Sequence, residues 1–202
     1  MKNDVTKSPV SHPLWLRITH WLNAIAVILM IMSGWQIYNA SPLFHFRFSR
    51  DITLGGWLAG GILWHFAAMW LLVANGLTYL AINLFTGRMQ MKFFPVRIKE
   101  LLHEFWLAAT LRLSHQDLNH YNMVQKFAYL FVIADLIVIV CSGLVLWKSV
   151  QFPLLNTLLG GYDTARYIHF CGMALLVGFI AVHVLLVAIV PRTLLGMIRG
   201  RF

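Results

Sequence analysis

Charge is what this 202-residue chain has least of. Asp, Glu, Lys and Arg together make up 11% of it, against roughly 25% in ordinary soluble domains. Acids are the scarcer sign, 7 against 16 Lys and Arg. Cysteine is nearly absent. Cys141 and Cys171 both fall inside apolar runs, too few for a disulfide scaffold, and they read as small packing residues. No Cys-x-x-Cys-His stretch occurs, which excludes covalent c-type haem attachment. His103-Glu104 lacks the second histidine of a His-Glu-x-x-His zinc motif. No polar stretch is longer than the one at about 86–123, so the chain has no soluble substrate-binding domain of its own.

What it has instead is apolar sequence, 59% of all residues. Four runs, at about 14–38, 53–82, 124–147 and 164–190, are long enough to cross roughly 30 Å of hydrocarbon as helices. The first is too long for a cleaved signal peptide and lacks its small-residue cleavage site. The expected fold is an all-α membrane protein: one four-transmembrane-helix bundle over 1–202, with lipid as its surroundings.

The basic residues are placed unevenly. Lys2, Lys7 and Arg17 precede or open the first run. Arg88, Lys92, Arg97, Lys99, Arg112 and Lys126 lie between the second and third, and Arg192, Arg199 and Arg201 follow the fourth. The remaining connections hold only Arg47, Arg50, Lys148 and Arg166. Lys and Arg collect on the cytoplasmic side, so both termini and the loop 86–123 are expected in the cytoplasm. The net charge of +9 is then a topology signal with attraction to anionic headgroups, and no nucleic-acid partner is implied. Within that loop Val96, Ile98, Leu101, Leu102, Phe105, Trp106, Ala109 and Leu113 recur near helical spacing. They predict an amphipathic helix, lying on the inner membrane surface or packed on a partner.

A faint repeat links the two halves. Ser33-Gly34 matches Ser142-Gly143, and His65-Phe66-Ala67-Ala68-Met69 matches His169-Phe170-Cys171-Gly172-Met173, as if two related hairpins ran in the same orientation.

Of nine histidines, four lie within the runs: His20, His65, His169 and His183. Such side chains are costly in lipid and mark function, and neutral imidazole is an axial ligand for haem iron. Fourteen residues separate His169 from His183. That is close to four helical turns, so both rings point to one side about 21 Å apart, and one helix can serve two stacked haems. His20 and His183 match in depth near the cytoplasmic face, which leaves His65 to pair with His169. In the repeat, the positions equivalent to His20 and His183 are Tyr129 and Tyr79, leaving four ligands for two sites. Arg17 and Arg166 each precede a histidine by three residues. They share its helix face and suit a haem propionate, or snorkel to the interface. Gly34, Gly143 and Gly172 would admit a flat porphyrin, or serve helix packing.

Arg17-x-x-His20-Trp21, the mid-span His65 and the His169-x13-His183 helix resemble bacterial cytochrome b561 over about residues 12–200. The resemblance extends to its relatives, the b subunits of nickel-iron hydrogenases and formate dehydrogenase. It implies two haem b groups, with His20 paired to His183 and His65 to His169. Tyr121-Asn122-Met123-Val124-Gln125-Lys126, Trp64-His65-Phe66 and Val190-Pro191-Arg192-Thr193 are similar to a branch serving periplasmic molybdopterin oxidoreductases. It implies quinone exchange near the cytoplasmic haem, close to His20, Asn23, His120, Asn122, Gln125 or Lys126. The expected role is therefore an inner-membrane electron-transfer subunit between the quinone pool and a periplasmic partner. An alternative is a self-sufficient superoxide:quinone oxidoreductase with Arg47, Arg50 and Arg166 at its outer site. Asp135, mid-span, departs from the family pattern. A buried carboxyl there is expected to be protonated or hydrogen-bonded, bonded to a neighbouring helix, orienting a ligand imidazole or moving protons. His12, His45, His103 and His115 are expected at the surface.

Overall fold

The computed structural model describes residues 12–89, 97–109 and 123–200. Lys2, Lys7, Lys92, Arg112, Arg201, His115, His120, Tyr121 and Asn122 lie outside them. Among the described residues every regular element is helical. Four helices are long and apolar enough to cross a membrane: α1 (Leu14–Ala40), α2 (Leu58–Phe85), α4 (Met123–Lys148) and α6 (Gly161–Ile189). The shorter α-helices are α3 (Ile98–Ala109), α5 (Pro153–Leu158) and α7 (Arg192–Arg199), and a 3-10 turn spans Arg50–Ile52. Their surface is that of a lipid-solvated protein. Along α2, Leu63, Trp70, Leu77 and Leu84 recur every seventh residue and are 61–71% exposed, an apolar line that water would not tolerate.

The chain divides into two compact units. The first contains the described residues of Met1–Asn83 and Val187–Phe202. Here α1 and α2 form an antiparallel hairpin. At its loop end Gly61 leaves room for Gln36; a Cβ there would stand 3.0 Å from Gln36 Cγ. At the other end Asn75 Nδ2 donates to Thr19 O at 2.8 Å and to Asn23 Oδ1 at 2.7 Å. Trp15 and Tyr79 meet one further turn along. The second helix starts at Leu58, five residues into its apolar run. Gly55 and Gly56 take φ of 112° and 72°, and a Cβ on Gly55 would overlap the backbone of Gly60 and Gly61. This left-handed turn, which only glycine enters at no cost, breaks the run before the helix begins.

The C-terminal helix α7 belongs to the same unit and explains two residues of the Arg17-x-x-His20-Trp21 stretch. Trp21 Nε1 donates to Met197 O at 3.4 Å. Arg17 Nη1 lies so close to Gly200 that a Cβ there would clash with it. Gly200, with φ of 79°, is the left-handed C-cap of α7. A guanidinium at that end complements the negative pole of the helix. Arg17 and Trp21, one turn apart, thus hold the end of α7 and frame His20 between them.

The second unit, Leu84–Leu186, repeats the hairpin with α4 and α6. Gly172 is buried; a Cβ there would lie 2.7 Å from Ile139 Cγ1 and 3.3 Å from Asp135 Oδ1, so this glycine serves helix packing. The amphipathic α3 packs on α4. Glu104 Oε2 accepts from Met123 N at 2.6 Å and Val124 N at 3.4 Å. It thereby satisfies amides that the first turn of α4 leaves without helical partners. Arg97 pairs with Glu100 at 2.7 Å on the exposed side. Ile98, Leu102 and Trp106 form an exposed apolar stripe.

Candidate functional site

The two hairpins carry the same local device, built from a serine, a glycine and a histidine. In the first unit Ser33 is fully buried on α1. Its hydroxyl donates backwards to Leu29 O at 2.6 Å and approaches Met30 O at 3.2 Å. A hydroxyl has one proton, and this one is engaged by its own helix. Ser33 Oγ, 3.0 Å from His65 Nδ1, therefore accepts from the imidazole N–H. In the second unit Ser142 repeats each contact. It donates to Val138 O at 2.8 Å and lies 3.0 Å from Ile139 O, with His169 Nδ1 at 3.1 Å. Here the assignment is doubly constrained, because His169 Nδ1 is also 3.0 Å from Ile139 O. A carbonyl oxygen only accepts, so Nδ1 carries the proton.

That tautomer decides the chemistry. With Nδ1 protonated and held, Nε2 bears the ring's lone pair and is the atom that can ligate a metal. A hydrogen bond from the other nitrogen is how metal-ligating histidines are oriented and made more basic. The adjoining glycines clear the ring edge between the two nitrogens. A Cβ on Gly34 would stand 3.4 Å from His65 Cε1, and one on Gly143 would stand 3.2 Å from His169 Cε1.

The buried faces of α2 and α6 match too. Four residues before each histidine sits a buried small residue, Gly61 or Ala165. Three residues after it comes Ala68 or Gly172, and seven after it Leu72 or Leu176. His65 is the eighth residue of its helix and His169 the ninth. The late start of α2 places His65 early in its helix, as His169 is in α6.

The other two histidines sit differently. His20 is half-buried and meets Trp21 edge-on with ring centroids 5.2 Å apart. His183 is exposed and stacks on Phe179, one turn earlier, at 5.9 Å. Arg166 is half-buried one turn before His169. Asp135 is buried, but it does not orient His169, whose Nδ1 is held by Ser142 and Ile139 instead. His12 is half-buried beside Gly200, while His45 and His103 are exposed.

Compared with known proteins, residues 11–200 match the family model described as prokaryotic cytochrome b561. The chain belongs to the prokaryotic cytochrome b561 family. It is a multi-pass protein of the bacterial inner membrane and a membrane electron-transfer protein of the kind that binds haem b. A relative from Azospira oryzae is 60% identical over 189 residues, covering 94% of this chain and 96% of that protein. It is named a putative protein-methionine-sulfoxide reductase subunit, YedZ1. No solved structure matches the chain.

The residues of this cytochrome fit haem b. Among the described residues no three His, Cys, Asp or Glu side chains gather as a metal cluster. Single histidines with a prepared Nε2 suit an iron whose other donors come from a porphyrin. The glycine-cleared ring edges suit a flat, bulky group. Two buried N–H donors, Arg17 Nε and Trp35 Nε1, have no partner among the described residues, which suits a ligand carrying carboxylates.

The repeated Ser-Gly and His-Phe pairs are visible in the sequence as separate marks. That each serine holds its histidine is not, because 32 and 27 residues separate them. Their joint recurrence is the available signal. Asn75, Trp35 and Glu104 carry no sequence signal of their roles.

Proposed function

We propose that the chain is the membrane electron-transfer subunit of a two-part reductase, holding two b haems and linking the quinone pool to a soluble catalytic subunit in the periplasm. Haem b supplies one-electron exchange between ferric and ferrous iron. In this reading His65 and His169 ligate one haem, and His20 and His183 the other. Both termini and the 86–123 loop lie in the cytoplasm. Arg17 and Arg166 stand near the propionates. The observation that carries the reading is the matched pair of Ser–His contacts, which prepare Nε2 of His65 and of His169 in the same way near the start of their helices. The near-full-length likeness to a named methionine-sulfoxide reductase subunit supports the catalytic partner's chemistry. Reduction of a sulfoxide to a thioether and water consumes two electrons and two protons, so electrons run outward from quinol. A molybdopterin-dependent catalytic subunit fits the similarity of residues 121–126 and 190–193 to the branch that serves such enzymes.

The test is a reduced-minus-oxidised spectrum with haem quantification on the purified wild type and on His20→Ala, His65→Ala, His169→Ala and His183→Ala. Two b haems per chain are expected in wild type. His65→Ala and His169→Ala should disturb the same spectral component, and His20→Ala and His183→Ala the other. A chain without a Soret band would end the redox reading. Turnover of superoxide with quinone by the isolated chain would favour a self-sufficient oxidoreductase over a subunit.

A further inference from the structure

The connection between α1 and α2 is built more firmly than a link between spans requires. Phe44-His45-Phe46-Arg47-Phe48 alternates aromatic and basic residues, on a backbone that bends at 43–45. Phe48 packs back onto α1, while Phe44 and Phe46 stay exposed beside it. Phe48 stacks on Trp35 at 4.7 Å, and Tyr38 meets Phe46 and Phe48 at 5.3 Å each. Phe44 and Phe46 stack at 6.2 Å.

The backbone is fastened at both ends of this ladder by consecutive residues of α1. Tyr38 Oη accepts from Phe44 N at 3.2 Å and lies 3.4 Å from Phe44 O. The Asn39 amide accepts from Phe48 N and donates to Phe48 O, each at 2.9 Å. Between the two clamps His45 and Arg47 are exposed, and Arg50 is exposed just beyond. Asp51, the one acid of the connection, is engaged by Ser49 Oγ at 3.0 Å. Pro42, Phe44, His45, Phe46 and Arg47 line an open concavity of about 440 Å³.

We propose that residues 42–50 form a preformed docking surface for an acidic patch on the soluble redox partner. This rests on the reading of the chain as an electron-transfer subunit. Three features select that occupant. The exposed charges of 42–50 are the two arginines, against one exposed acid at Asp51, so the complementary surface is acidic, and such complementarity governs encounter rate and orientation. The segment is ordered before anything binds, which lowers the entropy cost of association; contact with lipid headgroups needs no fixed shape. Finally, the ladder leads inward. Phe48 stacks on Trp35, the neighbour of Gly34, and Gly34 borders His65. A partner seated here stands at the end of a packed route to the Ser33–His65 site.

The experiment uses the haem-loaded full chain in nanodiscs, pre-reduced, in stopped flow. The oxidant is the soluble methionine-sulfoxide reductase catalytic subunit from the same organism, with methionine sulfoxide present. Arg47→Glu with Arg50→Glu should slow reoxidation by about 10–100-fold at low salt and flatten its salt dependence, since mutants of one interface vary in association rate by roughly one to three decades. Lys99→Glu, on α3, should leave the rate as in wild type. Reoxidation by neutral benzoquinone should be unchanged in all variants. An unchanged rate in the double variant overturns the docking surface and leaves the electron-transfer reading intact. Equal slowing with benzoquinone also overturns it, because the charges would then act on the haem. A defect seen only with phosphatidylglycerol and absent in pure phosphatidylcholine assigns the loop to headgroups and overturns it too. A wild type that the catalytic subunit does not reoxidise overturns the proposed function and the docking surface together.

Discussion

Ser142 Oγ stands 3.1 Å from His169 Nδ1 while its hydroxyl donates to Val138 O at 2.8 Å. The serine is therefore an acceptor, and its removal takes a partner from the imidazole. Loss of such an outer-shell partner typically costs about 10–100-fold in metal affinity. Ser33→Ala and Ser142→Ala should both bind haem, release it faster to apomyoglobin, and show altered midpoint potentials. In Ser142→Ala, Ile139 O still lies 3.0 Å from His169 Nδ1, so the His169 tautomer should persist. Release rates equal to wild type in both would show that the serines only pack.

Two glycines of the second unit should separate ligand geometry from packing. A methyl at Gly143 would press on His169 Cε1 from 3.2 Å. On the proposed ligation by His169, Gly143→Ala should therefore change the Soret and α-band positions. A methyl at Gly172 meets Ile139 Cγ1 at 2.7 Å instead. Gly172→Ala should lower unfolding stability by about 1–3 kcal/mol, the usual cost of overpacking, with smaller spectral change. Paired absorption spectra and thermal melts check the contrast; identical profiles would contradict it.

Asn75 joins α2 to α1 beside His20, through Thr19 O and Asn23 Oδ1. Interhelical hydrogen bonds in membranes average about 0.6 kcal/mol and reach about 1.7. Asn75→Leu should cost roughly 1–2 kcal/mol by the same principle. It should also broaden the EPR signal of the haem proposed at His20, since α1 loses its anchor next to that histidine. A sharp, unshifted signal would confine Asn75 to stability.

Glu104 is the cap of α4 supplied by α3. Capping interactions contribute about 0.5–2 kcal/mol, so Glu104→Ala should speed hydrogen exchange in Ile98–Ala109 and in the first turn of α4. Glu104→Gln keeps an acceptor oxygen and should retain most of the protection. Equal loss in both variants would mean that charge at the helix N-terminus, not the hydrogen bond, is what matters.

Much of this molecule is legible in its amino-acid sequence. Four apolar runs become four helices, because a span of this length and composition has few other solutions. The spacing of His169 and His183 puts both on one side of one helix, because helical geometry is rigid. The start of the second helix is harder to read, since Leu54 and Trp57 are as apolar as the helix itself. The sign of the break is Gly55-Gly56, counterpart of the Gly160-Gly161 pair at the start of α6, all four with positive φ. The contacts of Ser33, Asn75 and Glu104 are hidden for a different reason. Each joins residues far apart in the chain, and nothing in the spacing of such residues reports that they meet. The helix face of Arg17 suggests a propionate; nothing in α1 reveals that α7 lies beside it.

The grip of Arg17 and Trp21 on α7 has a consequence for biogenesis. Trp21 and Met197 are separated by 176 residues, so α1 enters the membrane long before the helix that frames it has been translated. Until then His20 stands in a half-built surround. On the proposed ligand scheme, a cofactor at that histidine would enter after translation, and a chain truncated before Arg192 should lose the His20-linked haem first.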